Sequence, residues 1–344
     1  MKKWIVACAV LTLYLSSVAV AQAQQTFSET TPKEVVAKIV QATVDLQNEL
    51  SESQNKALYY DFKDDDQRER WSNLPVTIVE RGGLRMGDLN EAQKAAVFKV
   101  LKATLSEEGV QQVLENMAAD EVLKNNSRRG MLMFGEDEYY FSILGKPSSN
   151  GPWMWQFGGH HLAINATFSG EQVTLSPSLT GGQPMRFEVA GENVSQLDKE
   201  IPAAYTLIQS LNSDQQKKAI VSSRTSDLRY GPGESDITPR KEGIVFGDLN
   251  SAQQNLMRKL ISRRIEILNP VHASIAMKKI EASLSETFFA WYGPIEEGRA
   301  ASFRVQGPNV VIEYCPQRMG GDATQHIHAM YRDPSNDYGS EITR

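Results

Sequence analysis

One seven-residue pattern occurs twice in the chain. Gly87-Asp88-Leu89-Asn90-Glu91-Ala92-Gln93 returns as Gly247-Asp248-Leu249-Asn250-Ser251-Ala252-Gln253. In each copy an asparagine is placed to cap a helix, and a glutamine three residues on can reach back to it. The upstream residues match as well, Arg81-Gly82-Gly83-Leu84 against Lys241-Glu242-Gly243-Ile244, and Leu211-Asn212-Ser213-Asp214-Gln215 is a weaker relative. Such a chain is expected to contain two related helical hairpins, by duplication or by a shared structural role. The period is too long for a solenoid. Local capping explains the conserved-looking residues of the pattern, so it does not by itself mark a catalytic site.

The surrounding periodicity sets the fold class. Thr31-Pro32-Lys33-Glu34 is a helix start, and Val35, Val36, Ile39, Val40 and Leu46 supply an apolar stripe that predicts a helix to about Lys56. The charged run Asp61–Arg70 reads as a solvated helix or loop. Further helices are expected from Asn90 to Leu105, from Glu107 to Lys124 and from Ser274 to Phe289. Strands are expected at Tyr139–Leu144, Trp153–Phe157, His160–Phe168, Gln172–Leu179 and Met185–Val189. A second set follows at Ala300–Gln306, Asn309–Cys315 and Gln325–Arg332, with Gly307-Pro308 as a tight turn. The order helices, sheet, helices, sheet predicts an α+β fold with a mainly antiparallel sheet. No Gly/Ser- or Pro-rich linker marks a boundary. One domain is expected over 24–344, with pseudo-repeats at about 31–190 and 201–339.

The N-terminus reads as a signal peptide. Lys2 and Lys3 precede the apolar run Trp4–Leu15, and small residues lead to Ala19-Val20-Ala21 and Ala21-Gln22-Ala23. The run is short for a membrane span. The expectation is cleavage near residue 21 or 23 and a periplasmic or secreted mature chain without a membrane segment. The formal charge of −6 becomes −8 without Lys2 and Lys3. That balance disfavours nucleic acid and anionic membrane as partners. A small-molecule substrate or ligand is the expected partner. With Cys8 removed, Cys315 is the single cysteine, so no internal disulfide can form. Its setting, Val-Ile-Glu-Tyr-Cys-Pro, reads as a buried strand.

Four of the five histidines fall in two tight groups: His160 and His161 after Gly158-Gly159, and His326 and His328 around Ile327. Residues two apart on a strand face one side, so His326 and His328 project together. By the same alternation His160 aligns with Leu162, Ile164 and Phe168, a core pattern. His161 aligns with Ala163, Asn165 and Thr167, a cleft pattern. A centre of His161, His326 and His328 would give one divalent ion three nitrogens and leave a position for water, and His160 replaces His161 if the strand bulges. Zinc is preferred over copper or iron. Two other readings fit the same residues, a polar pocket without metal and purely structural histidines. His-Glu-x-x-His, Gly-x-Ser-x-Gly and phosphate-binding glycine loops are absent.

Other residues complete the candidate site. Glu313, an acid inside an apolar run, is a candidate general base or orienting group, or else an outward residue on an edge strand. Arg304 and Arg332 are candidates to hold a substrate carboxylate, or to pair with Glu313 and Asp333. Trp153, Trp155 and Trp291 are candidates for a stacking wall, against ordinary core packing. The leading expectation is an exported metal-dependent hydrolase acting on a small anionic or polar substrate. A noncatalytic small-molecule or glycan-binding protein and a copper or iron oxidase or oxygenase are the alternatives.

Several of these stretches carry a resemblance. Trp155–Leu162, Trp291-Tyr292-Gly293, Phe303–Pro308, Ile312-Glu313-Tyr314, His326-Ile327-His328 and Tyr331–Gly339 together resemble the bacterial and fungal family known as domain of unknown function 3500. The resemblance runs from about Lys33 to Gly339. It extends to His160, His161, His326, His328, Glu313 and Arg332, and Cys315-Pro316 departs from it. It implies no particular activity.

Overall fold

The two copies of the capping pattern build the same local structure. Asn90 Oδ1 accepts from the Gln93 amide N–H and Asn250 Oδ1 from that of Gln253, each at 3.0 Å, and both glutamine side chains accept from the asparagine N–H in return. Ser51 with Gln54 and Asn212 with Gln215 close the same reciprocal box one helix earlier. The boxes are then tied in pairs. Gln54 Nε2 donates to Gln93 Oε1 at 3.2 Å, and Gln215 Nε2 donates to Gln253 Oε1 at 2.9 Å. The weaker relative at Leu211 is thus the start of the helix that docks on the second copy.

A computed structural model describes residues 30–126, 134–319 and 321–343. The signal-peptide expectation lies outside these residues. The first half runs α1 (Pro32–Glu49), α2 (Glu52–Leu58), β1 (Tyr59–Tyr60), α3 (Asp65–Arg68), β2 (Leu84–Arg85), α4 (Glu91–Thr104) and α5 (Glu107–Asn126). It continues through β3 (Tyr140–Gly145), β4 (Trp153–Gly158), β5 (Leu162–Ser169), β6 (Gln172–Thr174) and β7 (Ser178–Gly182). A separate hairpin follows, β8 (Arg186–Val189) and β9 (Glu192–Ser195). The second half runs α6 (Glu200–Ser210), α7 (Ser213–Ala219), β10 (Ile220–Ser222), β11 (Ile244–Val245), α8 (Ser251–Ile265) and α9 (Pro270–Glu281). Its strands are β12 (Phe288–Tyr292), β13 (Ser302–Gly307), β14 (Val310–Pro316) and β15 (Ile327–Arg332). The fold is α+β, as its pattern predicts.

The main sheet has the order β1-β3-β4-β5-β7-β15-β14-β13-β12-β10, which reads alike from either edge. Each pairing along this path in one half has a counterpart in the other, while the β5–β6 pairing has none among the described residues. β1 with β3 and β10 with β12 are parallel, and β2 and β11 pair antiparallel to β3 and β12. The register corresponds too: Phe141↔Phe157 matches Phe289↔Val305, and Gln156↔Asn165 matches Arg304↔Glu313. β7 and β15 join the halves antiparallel. Gly83 and Gly243 occupy the same place, with φ of +99° and +98°. A Cβ on either would meet the carbonyl oxygen of Phe141 or Phe289 at 2.2 Å, so only glycine fits.

Helices cover one face of the sheet, over a core that includes Trp155, Phe157, Ile164, Phe303, Val305 and Ile312. Burial of such side chains contributes about 1.5–3 kcal/mol each. The long connections 61–83 and 223–243 cover the other face. Trp71 there packs on Ala163, Leu179 and Met330.

Four expectations need correction. The strand expected over Gln172–Leu179 is two, β6 and β7, which pair separately with β5 and are parted by Leu175-Ser176-Pro177. The first helix does not reach Lys56, because Leu50 is extended and Ser51 starts a new capped helix. The helix from Ser274 does not reach Phe289: α9 ends at Glu281, and Phe288–Tyr292 pair with β13. His160 and His161 are not in a strand. They form the turn between β4 and β5, closed by Gly159 N–H donating to Leu162 O at 2.9 Å.

Candidate metal centre

The turn that carries His160 and His161 is held from beneath. Gly159 passes over the Tyr139 ring, where a Cβ would stand 2.9 Å from a ring carbon. The buried Arg81 guanidinium donates to Gly159 O at 3.0 Å and to Ser72 O and Leu74 O at 2.9 Å. This clasp binds the turn to the segment that contains Asn73. His326 and His328 come from the other side of the central joint. β15 places His328 opposite both Cys315 of β14 and Gly181 of β7. His326 lies just before that strand, after a short turn that Asp322 caps.

These elements bring three imidazole nitrogens together. His161 Nε2 lies 3.0 Å from His326 Nε2, which lies 3.2 Å from His328 Nε2. All three residues are buried. His326 Nδ1 sits 2.7 Å from Met319 O. A carbonyl only accepts, so Nδ1 carries the proton and the neutral ring turns a bare Nε2 inward. Asn73 Nδ2 lies 3.0 Å from His328 Nδ1; ligation through Nε2 requires Nδ1 to carry the proton, with the Asn73 amide turned so that Oδ1 accepts it. Burial, and after it the neighbouring imidazoles, push His161 well below the usual histidine range and His328 down to about 3. Burial lowers His326 also, against the Met319 carbonyl. The rings are therefore neutral at neutral pH, the form that ligates metal. Nitrogens at about 2.0–2.1 Å from a tetrahedral ion stand roughly 3.3 Å apart, close to the spacing here. The donor set suits zinc, copper or iron.

A carboxylate stands behind the trio. Asp120 of α5 is 1% exposed; its Oδ2 accepts from the Tyr139 hydroxyl at 2.9 Å. Its Oδ1 lies 3.4 Å from His160 Nδ1 and 4.0 Å from His161 Nδ1, and among the described residues these three atoms have no other partner. A carboxylate behind a ligating imidazole fixes its orientation and raises its basicity. The His160 ring lies on that of His161, with centroids 3.7 Å apart, and Phe134 covers it at 4.7 Å. His160 is beside the trio rather than in it.

The remaining candidates do not join the histidines. Glu313 is fully buried on an interior strand; it accepts from Arg304 Nε at 2.6 Å, Arg229 N at 2.9 Å and Tyr230 N at 2.7 Å. Arg304 also donates to the Tyr292 hydroxyl, Ser226 Oγ and Asp227 O. This pair fastens the 223–243 connection to the sheet. Arg332 pairs with Asp337 at 2.9 Å and donates to Tyr230 O and Glu234 O. Trp153, Trp155 and Trp291 are core residues: Trp153 stacks on Phe168 at 4.3 Å, and Trp155 and Trp291 donate to Thr104 Oγ1 and Pro294 O. His272 is buried, with Nε2 2.9 Å from Glu171 O. Cys315 is buried and free.

Residue-pattern reading missed Asp120, Tyr139, Asn73, Arg81 and the Met319 carbonyl. Asp120 had a signal. It continues the buried stripe of Val113 and Met117 at helical spacing, and an acid on such a stripe calls for a partner. The others serve through long-range contacts that no local pattern encodes.

Residues 32–340 match the family described as Protein of unknown function (DUF3500). The chain belongs to this family. No curated protein and no solved structure matches it. Among the described residues no helix is long and apolar enough to cross a membrane.

Proposed function

We propose that the protein is an exported metal-dependent enzyme, with His161, His326 and His328 as ligands of one divalent ion, zinc before copper or iron. The proposed reaction is hydrolysis of a small anionic or polar substrate. The convergence of three neutral imidazole Nε2 atoms at 3.0 and 3.2 Å carries this reading. An ion held by three protein nitrogens keeps an open position and supplies water of lowered pKa. The chain's own groups do the rest. Met319 O and Asn73 meet the outer nitrogens of His326 and His328, Arg81 fixes the turn of His161, and Asp120 stands 4.0 Å behind His161 Nδ1. His160, with its Nδ1 against Asp120, is the group placed to take a proton beside the centre. Glu313 and Arg304 satisfy one another and have no part in it. Export rests on the N-terminal sequence, and the absence of a disulfide requirement is compatible with an oxidising compartment.

Hydrolysis of a panel of chromogenic carboxylic and phosphate esters tests the reading. The expected activity disappears on chelation, returns with zinc and is absent from H326A/H328A. Hydrolysis that survives both chelation and the double substitution ends it.

A further inference from the structure

A cavity of about 370 Å3 lies on the helix face, between α8, α9, β6 and the ends of β7 and β15. Val173, Leu175, Ile265, Leu268, Ile275 and Ala276 give it an apolar wall. Arg264 of α8, 4% exposed, also lines it. The other buried arginines are fully engaged: Arg304 has Glu313, Arg332 has Asp337, and Arg81 has backbone carbonyls. Arg264 differs. Its guanidinium donates to Thr180 Oγ1 and, at 3.4 Å, to Ser178 O; among the described residues its buried Nε has no partner. Among the described residues no carboxylate lies within ion-pair distance of it. The buried acid whose charge reaches it, Glu200 of α6, stands beyond ion-pair distance, and burial pushes Glu200 up to about 7. A buried cation so weakly matched is costly, and the open space beside it is where an anion would relieve that cost. The lysine in the lining, Lys279, already has its charge matched by Asp333 at 3.0 Å and by Glu341.

We propose that this cavity is a binding site for a small organic acid, its carboxylate on Arg264 and its apolar body against the α8–α9 wall. The guanidinium fork suits a planar carboxylate, and the volume falls in the range of small-ligand pockets. The acids at the rim repel a second negative charge, so the ligand carries one. The site uses none of the histidine trio, and its occupancy stands or falls separately from the metal.

Titration calorimetry of the full chain with octanoate, and with octan-1-ol as the uncharged comparison, tests this. Saturable binding of octanoate is expected, at least tenfold tighter than that of the alcohol and weakened at least tenfold in Arg264→Gln. Ala276→Trp, which fills the cavity from its partly exposed wall, should abolish binding while the protein stays folded by circular dichroism. If Arg264→Gln does not fold, the Ala276→Trp result decides. No octanoate binding to the wild-type chain, equal binding of acid and alcohol, or binding unchanged by Ala276→Trp overturns the proposal.

Discussion

The turn between β4 and β5 and the turn between β13 and β14 occupy the same place in the two halves. Gly159-His160-His161-Leu162 makes the first, Gly307-Pro308-Asn309-Val310 the second. Asn309 donates to Ser283 Oγ at 3.0 Å and Lys279 O at 3.2 Å, just where α9 ends, while His160 and His161 face Asp120 near the end of α5. The architecture thus closes this corner without any titratable group. The imidazoles and the buried acid of the first half are not what the fold requires, and that points to chemistry. One step inward the contrast reverses. The cross-strand pair is Gln156 with Asn165, at 2.8 Å, in the first half and Arg304 with Glu313 in the second. There the charges are in the half whose turn lacks histidines, and their hydrogen bonds hold the chain rather than a ligand.

The largest effect should come from the inward pair. Glu313→Ala leaves the Arg304 guanidinium buried without its carboxylate and should cost about 3–5 kcal/mol in urea denaturation. Asn165→Ala, at the matching position, should cost only about 1–2 kcal/mol. Installing the first half's pair, Arg304→Gln with Glu313→Asn, should recover part of the loss. Equal costs at the two positions would erase the distinction between them.

Next comes the ion itself. Zinc at a hundred times its Kd should stabilise the wild-type chain by about 2.7 kcal/mol, read as a rise in Tm, and should leave H326A/H328A unmoved. Asp120→Asn should weaken metal affinity roughly 10–100-fold while keeping the stoichiometry, as expected for a group behind the ligand. An unchanged affinity would return Asp120 to a purely structural place beside Tyr139.

A smaller effect concerns pH. His328 is held down to about 3 in the folded chain, against about 6.5 when unfolded. Between these values the unfolded chain binds more protons, so stability falls as pH falls. The metal-free wild-type protein should therefore lose stability steadily below about pH 6.5, and the loss should be shallower in His328→Gln. Denaturation midpoints measured from pH 7 to 4 decide this.

Much of the fold was legible because its signals are local. The capping patterns at Asn90 and Asn250 are complete within four residues, and the main strands are short, largely apolar runs bounded by turn residues. The errors fell where a local pattern had two continuations. Leu50 extends the apolar stripe of α1, yet Ser51 and Gln54 close a new box behind it. Phe288 and Phe289 fit a helix stripe until β13 claims them. The pairing of His326 with His328 followed from strand spacing alone. The choice of His161 over His160 came out of an alternation that does not apply, since both lie in a turn whose shape Arg81 and Gly159 fix from a distance. Glu313 was singled out correctly as needing a partner. Its pairing with Arg304 was one of two readings the residues left open, and the register of β13 on β14 selects it.

The most direct test replaces one turn by the other. Metal content is measured for the wild-type chain, purified without added metal, beside the double substitution His160→Pro and His161→Asn, which writes the second half's turn into the first. The expected result is one equivalent of zinc, copper or iron per wild-type chain and none in a variant that still folds. A wild-type chain that holds no metal and gains no Tm with any of the three ions would contradict the central claim.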